Sequence, residues 1–306
     1  MLGSWGIGES VLRSALETNG VSVDAVFTRL ADSASSDPYR NMVADLAASA
    51  GIPVHPPKAA SGADGVALLA QLAPDVILSA AHPTLLAPNL LSVPRFGALN
   101  LHGSLLPKHR GTSPVNWALI RDEAETGLTM HYIDEGMDTG DVIYQERVAI
   151  TDTDTPGTLA DRIRALAPQL IKRALTTLVA GHALPRIRQD DTAASYSPRL
   201  KGADLSIDWT KSARAVWSFI RGTSQRGLGA RTTLAGSEFR VWSAIEPSQP
   251  HAPSPINSPG TVTAASSERI EVQCGDRVLE IPLSSLERES GVSMPEVGSA
   301  FSGSAD

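Results

Sequence analysis

The feature that most restricts the fold is an alternation of short apolar runs with amphipathic stretches through the first part of the chain. Asp75-Val-Ile-Leu-Ser-Ala and Gly97 to Leu101 are apolar at nearly every position and too short for helices, so they read as buried strands. Val21 to Thr28, Ile52 to His55, Thr126 to Ile133 and Val142 to Ile150 read as further strands. Between them, Glu9 to Asn19, Asp37 to Ala50, Gly65 to Leu72 and Pro114 to Arg121 read as helices, and Asp37 to Ala50 places Met42, Val43, Leu46 and Ala47 on one face. Pro156 opens a long helix that ends before Gly181-His182. Strands that alternate with helices imply an α/β domain, a mostly parallel sheet with helices on both faces.

A different pattern follows. Gln189 to Ala203 is polar and reads as a linker. Ala213 to Arg221 reads as a helix with Val216, Trp217 and Ile220 on its apolar side. Short strands come after it, at Gly229 to Leu234, Glu238 to Ser243, Gly260 to Ala264, Ile270 to Cys274 and Val278 to Ile281, a spacing that suggests a small barrel. Pro247 to Pro259 is rich in proline and serine and reads as a mobile loop. The expected domains are residues 1–188, a linker over 189–203, a second domain over 204–295 and a disordered tail over 296–306.

At 306 residues the chain can bury two cores. No apolar run approaches the roughly 20 residues of a membrane span, and no charged segment followed by an apolar run opens the chain as a signal peptide would. The lone Cys274 allows no internal disulfide, and a cytoplasmic location is expected. A net charge of −7 gives no encouragement to nucleic-acid binding, and DNA is not expected as a partner. No Cys/His cluster has metal-ligand spacing. The early glycines do not form Gly-x-Gly-x-x-Gly, so no dinucleotide site is read.

Chemistry concentrates in residues 97–114 and in the glycine-bracketed turn at 136–141. Asn100 and His102, two residues apart near the end of a strand, project to the same side. That end is where open α/β sheets place ligands. Asp138 can bring a carboxylate to the amide and the imidazole.

Asn100-x-His102, then Ser104-Leu105-Leu106-Pro107-x-x-Arg110-Gly111, then Met137-Asp138-Thr139-Gly140-Asp141 resemble the 10-formyltetrahydrofolate-dependent formyltransferases. The resemblance continues through Tyr196-Ser197-Pro198-Arg199-Leu200 and Ile207-Asp208-Trp209 to Phe239-Arg240-Val241-Trp242, and so covers most of the chain. It implies a Rossmann-like first domain, an OB-like second domain and 10-formyltetrahydrofolate as co-substrate, with no metal. It implies Asn100, His102 and Asp138 as the catalytic residues. Thr84, Leu85, Leu86, Asp134, Glu135, Gly136 and Met137 would lie along the cofactor, together with Thr112, where many relatives have arginine; on the residues alone Leu85 and Leu86 read as core. Ser104, Leu105, Leu106 and Pro107 would form a rigid wall beside the site. Arg110 either contacts substrate or pins its loop, or else is solvated. Relatives begin with a hydrophobic strand of which only Met1 and Leu2 remain here, and the natural chain is expected to carry several more residues before Met1.

With an N-formyl group against Asn100 and His102, attack by a neutral amine creates a tetrahedral oxyanion. The Asn100 amide or His102 can donate to that oxygen, and His102 coupled to Asp138 can move the proton. Asp138 is expected to raise the pKa of His102. His131, in mid-strand, reads as a packed or hydrogen-bonded core histidine.

The acceptor is read from charge. Relatives that act on initiator tRNA carry a long basic loop after the second strand. Here Arg29 is offset by Asp32 and Asp37. Glu238, Glu246, Glu268 and Glu271 balance Arg221, Arg226, Arg231 and Arg240 in the second domain. The stretch 224–230 departs from the usual Pro-Trp-Pro-Gly-Ala-like sequence. A small amine, on an amino sugar nucleotide or an amino or hydroxamino acid, is therefore favoured over methionyl-tRNA. Hydrolysis of the formyl donor and a non-catalytic binding role are the other readings.

Overall fold

The structure is a computed structural model, and it describes residues 1–29, 41–60, 62–83, 86–225, 227–247 and 257–303. Leu30 to Asp37, Thr84, Leu85, Arg226 and most of the 247–259 loop therefore lie outside the described residues. The chain divides into two compact units. The first comprises Met1–Gly111, Gly127–Val148 and Asp161–Tyr196, and the second comprises Thr112–Thr126, Ala149–Ala160 and Ser197–Asp306. The stretches 112–126 and 149–160, expected within the first domain, are thus grouped with the second.

The first unit is built on one sheet with the strand order β3-β2-β1-β4-β5-β6-β7. The strands are β1 (Leu2–Gly3), β2 (Val26–Phe27), β3 (Val54–His55), β4 (Ile77–Ala80), β5 (Ala98–His102), β6 (Glu125–Tyr132) and β7 (Val142–Ala149). Pairing is parallel from β3 through β5 and turns antiparallel between β5 and β6. The helices are α1 (Trp5–Leu16), α2 (Met42–Ser49), α3 (Gly62–Leu72) and the short α4 (Pro88–Leu91), with a later pair described below. Neighbouring strand residues feed opposite layers. Val26 packs with Leu12, Val43 and Ala47, whereas Phe27 packs with Leu69, Ile77 and Leu90. This is the two-faced burial expected of a parallel sheet under helices.

The helix expected to run on from Pro156 is two helices, α6 (Pro156–Arg164) and α7 (Ala167–Val179). Pro168 lies in the first turn of α7. It lacks an N–H and crowds the residue before it, so it can start a helix but not continue one.

In the second unit, α5 (Pro114–Ile120) lies against α8 (Ala213–Thr223). They approach closely at Gly222, where a Cβ would meet Ile120 Cγ1 at 2.6 Å and Asn116 O at 2.9 Å. The strands are antiparallel and form two sheets around one core. Three of them, β10 (Val262–Ala265), β11 (Arg269–Gln273) and β12 (Val278–Pro282), form one sheet; the other has the order β13-β9-β8-β14. The latter strands are β8 (Ala230–Leu234), β9 (Ser237–Val241), β13 (Leu286–Arg288) and β14 (Phe301–Ser302). Trp209, Val216, Ile220, Phe239, Val272, Ile281 and Phe301 share that core.

The expected disordered tail needs correction over its described part. Phe301 is buried, stacks on Trp209 and pairs with Leu234 as an edge strand. One aromatic side chain with a core to enter ties down a segment whose other residues are mostly exposed.

Candidate active site

Strand β5 ends in Asn100-Leu101-His102, and the antiparallel step to β6 sets what faces it. Asn100 lies opposite His131, and His102 opposite Thr129. Directly opposed residues of such a pair share a face. The Asn100 amide donates from Nδ2 to His131 Nε2 at 3.1 Å. His131 Nδ1 donates in turn to the Tyr132 carbonyl at 2.7 Å. A carbonyl only accepts, so Nδ1 of His131 carries a proton and, in the neutral ring, its Nε2 is the accepting lone pair. His102 is the mirror case: its Nε2 donates to the His109 carbonyl at 2.8 Å, which leaves Nδ1 as the free nitrogen.

Asp138 stands between the two rings. Its Oδ2 is 3.5 Å from His102 Nδ1 and its Oδ1 is 3.5 Å from His131 Nε2. Oδ2 also accepts the Gly111 N–H at 2.8 Å. Asp138 has φ +56°, in the left-handed region that side chains seldom adopt. The three residues named from the sequence therefore converge, and His131 joins them. Its mid-strand position reads as a packed or hydrogen-bonded core histidine, and it is both buried and hydrogen-bonded, but it also faces the site. The signal that would have found it is its register against Asn100, which requires knowing that β5 and β6 are antiparallel.

Burial of the His102 ring lowers its pKa; the Asp138 carboxylate acts to raise it, as expected, but burial outweighs that effect and the net shift is downward. The imidazole is neutral at pH 7. For Asp138 the balance falls the other way. Burial pushes its pKa up, but at the acid pH where Asp138 titrates a hydrogen bond from His131, the charge on His102 and the Gly111 N–H together pull it down to about 2. A carboxyl with a depressed folded-state pKa contributes stability that is present above its unfolded value, here 3.8, and is lost as pH falls toward 2. The shift is worth on the order of 2 kcal/mol. Urea unfolding at pH 5 and pH 2.5 should show wild type losing about that much more stability than Asp138→Asn across the interval.

The Ser104 to Pro107 wall is tied on all sides. Thr129 Oγ1 donates to Ser104 O at 2.6 Å and accepts from Leu106 N at 3.2 Å, while Gln145 Nε2 donates to Leu106 O at 2.8 Å. Ser104 and Leu106 are buried, Leu105 and Pro107 are half-buried, and the Leu106–Pro107 peptide is cis. Arg110 is buried at 2% exposure, which removes the solvated reading. It bonds Gln189, Asp191 and Tyr196 and so pins its loop.

The cofactor candidates are more scattered. Leu86 is half-buried against the cluster that includes Leu2 and Phe27. Thr84 and Leu85 lie outside the described residues. Thr112 is exposed and belongs to the second unit. Asp134, Glu135, Gly136 and Met137 form an exposed turn, closed by Asp134 Oδ1 accepting from Gly136 N at 3.1 Å and Thr139 Oγ1 at 2.6 Å. Among the described residues, no group of three or more His, Cys, Asp or Glu side chains could hold a metal ion. No helix among them is long and apolar enough to cross a membrane.

Residues 9–175 match the family model described as formyl transferase, and residues 199–299 match formyl transferase, C-terminal domain. The chain belongs to the formyl transferase family. It is a formyl-transferring enzyme. A methionyl-tRNA formyltransferase of Pelotomaculum thermopropionicum is 39% identical to it over 254 residues, covering 80% of this chain and 79% of the relative. Among solved structures, an N-formyltransferase from Helicobacter canadensis, in complex with folinic acid and dTDP-3-aminofucose, is similar with a TM-score of 0.66 at 18% identity. That match covers 92% of this chain and 97% of the other. The sugar 3N-formyl transferase WlaRD, solved in the presence of dTDP and 5-N-formyl-THF, gives 0.67 at 18% identity over 95% and 97% of the two chains. At this identity the likeness to both structures is one of fold.

Proposed function

We propose that this formyl transferase moves the formyl group of 10-formyltetrahydrofolate to the amine of a small-molecule acceptor, with Asn100, His102 and Asp138 carrying the transfer. The observation that carries this reading is the convergence of one half-buried amide, two buried imidazoles and one half-buried carboxylate, in which both Asp138 oxygens face a histidine nitrogen. The donor supplies the formyl carbon. An N–H of Asn100 meets the oxygen as charge develops on it. Neutral His102 takes the proton of the attacking amine on Nδ1, and the Asp138 carboxylate stabilises the imidazolium that results. That proton then passes to the leaving nitrogen. The exposed turn from Asp134 to Met137 offers backbone groups to the pterin ring.

Charge balance supports the small acceptor. On the second unit's strands, Arg231 and Arg240 each face Glu238 at 3.7 and 3.6 Å, and Arg269 faces Glu280 at 3.0 Å. Arg231 and Arg240 share one glutamate and Arg269 has its own, so three arginines against two glutamates leave a single net positive charge, short of the basic patch that a phosphate backbone needs. Initiator tRNA is the second reading, favoured by the 39% identity to a methionyl-tRNA formyltransferase.

The test measures folate-product release from 10-formyltetrahydrofolate, alone and with an amino-sugar nucleotide, hydroxyornithine or methionyl-tRNA. Release that requires a small amine is the expected result. Release that requires methionyl-tRNA would overturn the acceptor, and release with no acceptor would make the enzyme a hydrolase.

A further inference from the structure

Gln189 closes a ring of bonds around Asp138. Its Nε2 donates to the carbonyls of Asp138 at 2.8 Å and Gly140 at 2.7 Å. Its Oε1 accepts from Arg110 Nε at 3.2 Å and Nη2 at 2.9 Å. Guanidinium groups only donate and carbonyls only accept, so the amide has one possible orientation and both its ends are satisfied. From Arg110 the ring continues along the backbone to Gly111, whose N–H holds Asp138 Oδ2 at 2.8 Å. Asp138 is therefore gripped at its carbonyl through Gln189 and at its carboxylate through Gly111, and Arg110 joins the two grips. Gln189 and Arg110 are both buried.

The segment that supplies Gln189 is tied to the same loop along its length. Asp191 Oδ1 accepts from Arg110 Nη2 at 2.7 Å, Arg110 N donates to Ser195 O at 2.8 Å, and His109 N donates to Ser195 Oγ at 2.9 Å. Composition alone reads this segment as a linker. A backbone at φ +56° relaxes unless its surroundings hold it. The Gln189 amide is the group that holds the carbonyl on that residue.

We infer that Gln189 is a positioning residue for formyl transfer: through its bonds to the Asp138 and Gly140 carbonyls, braced by Arg110, it fixes the Asp138 carboxylate against His102. The inference rests on the proposed role of Asp138 in the transfer. A displacement of the carboxylate by about 1 Å can cost on the order of a hundredfold in rate.

The experiment compares Gln189→Met, Gln189→Glu, Asp138→Asn and the Gln189→Met/Asp138→Asn double variant. Turnover of 10-formyltetrahydrofolate is followed with amino-sugar nucleotide, hydroxyornithine and methionyl-tRNA as acceptors. Gln189→Met should lower kcat about ten- to a hundredfold with KM for the folate within about threefold. Gln189→Glu keeps the acceptor for Arg110 and loses both donors, so it should lose kcat to a similar degree. Should the methionine variant not fold, the glutamate variant carries the test. In the Asp138→Asn background, adding Gln189→Met should change the residual rate by less than about twofold.

A wild-type kcat in either single variant overturns the inference, as does the same further loss in the Asp138→Asn background. Full turnover by Asp138→Asn would instead overturn the reading of Asp138 on which the inference rests. Nitrogen-resolved NMR of the His102 ring reads the geometry without turnover. Gln189→Met should move its titration to lower pH as the carboxylate recedes, and an unchanged titration overturns the inference.

Discussion

Asp138→Asn is expected to fold normally and to lose at least about a hundredfold in kcat. The substitution preserves shape, and an amide oxygen can still accept the Gly111 N–H that Oδ2 accepts at 2.8 Å. What it removes is the charge between the two imidazoles. An asparagine N–H can also donate to His102 Nδ1, the nitrogen left free by the bond from Nε2 to the His109 carbonyl, and so occupy the lone pair that must take a proton. The pH profile carries a second expectation. His102 acts as a base only when neutral, so kcat/KM should fall as pH falls through its pKa. Burial lowers that pKa, which puts the acid limb below the ordinary histidine value of 6.5. The Asp138 carboxylate is the nearby charge that raises it, so Asp138→Asn should move the limb lower still. Profiles of both enzymes from about pH 4.5 to 8 would decide this. A variant turning over at the wild-type rate would mean that Asp138 only shapes its turn.

The alternation of strands and helices, and the pairing of Asn100 with His102, were legible because both rest on local periodicity. What was not legible depends on burial and long-range register. The pKa direction of His102 follows from the depth of the ring in the fold, and no spacing reports depth. His131 enters the site through its opposition to Asn100 across the antiparallel step that ends the parallel run of strands, a reversal that periodicity does not show. Gln189 sits in a polar segment whose composition suggests solvent, yet it is buried because Arg110 and two carbonyls satisfy it. Phe301 orders an edge strand for the opposite reason, being an isolated apolar residue with a core to enter. The break between α6 and α7 was within reach, since Pro168 marks it.

Asn100→Ala is expected to cost on the order of 10² to 10³ in kcat, the usual effect of removing one donor to a developing oxyanion. Either Asn100 or His102 could have supplied that donor on sequence grounds, and the hydrogen-bond inventory favours Asn100. The Nε2 proton of His102 is committed to the His109 carbonyl, and its Nδ1 carries no proton in the neutral ring. The Asn100 amide has two N–H groups, and His131 Nε2 takes one of them at 3.1 Å. That bond orients the amide and leaves the second N–H to aim at substrate. Because the charge it meets exists only in the transition state, the loss should fall on kcat while KM for 10-formyltetrahydrofolate stays within about threefold. Asn100→Asp sharpens the test. It keeps the shape of the side chain but places an oxygen where the donating nitrogen stands, so it should lose as much kcat as the alanine variant. Retention of the wild-type rate by Asn100→Asp would transfer the donor role away from this residue, whereas equal losses in both variants with an unchanged KM would tie the rate to the N–H itself.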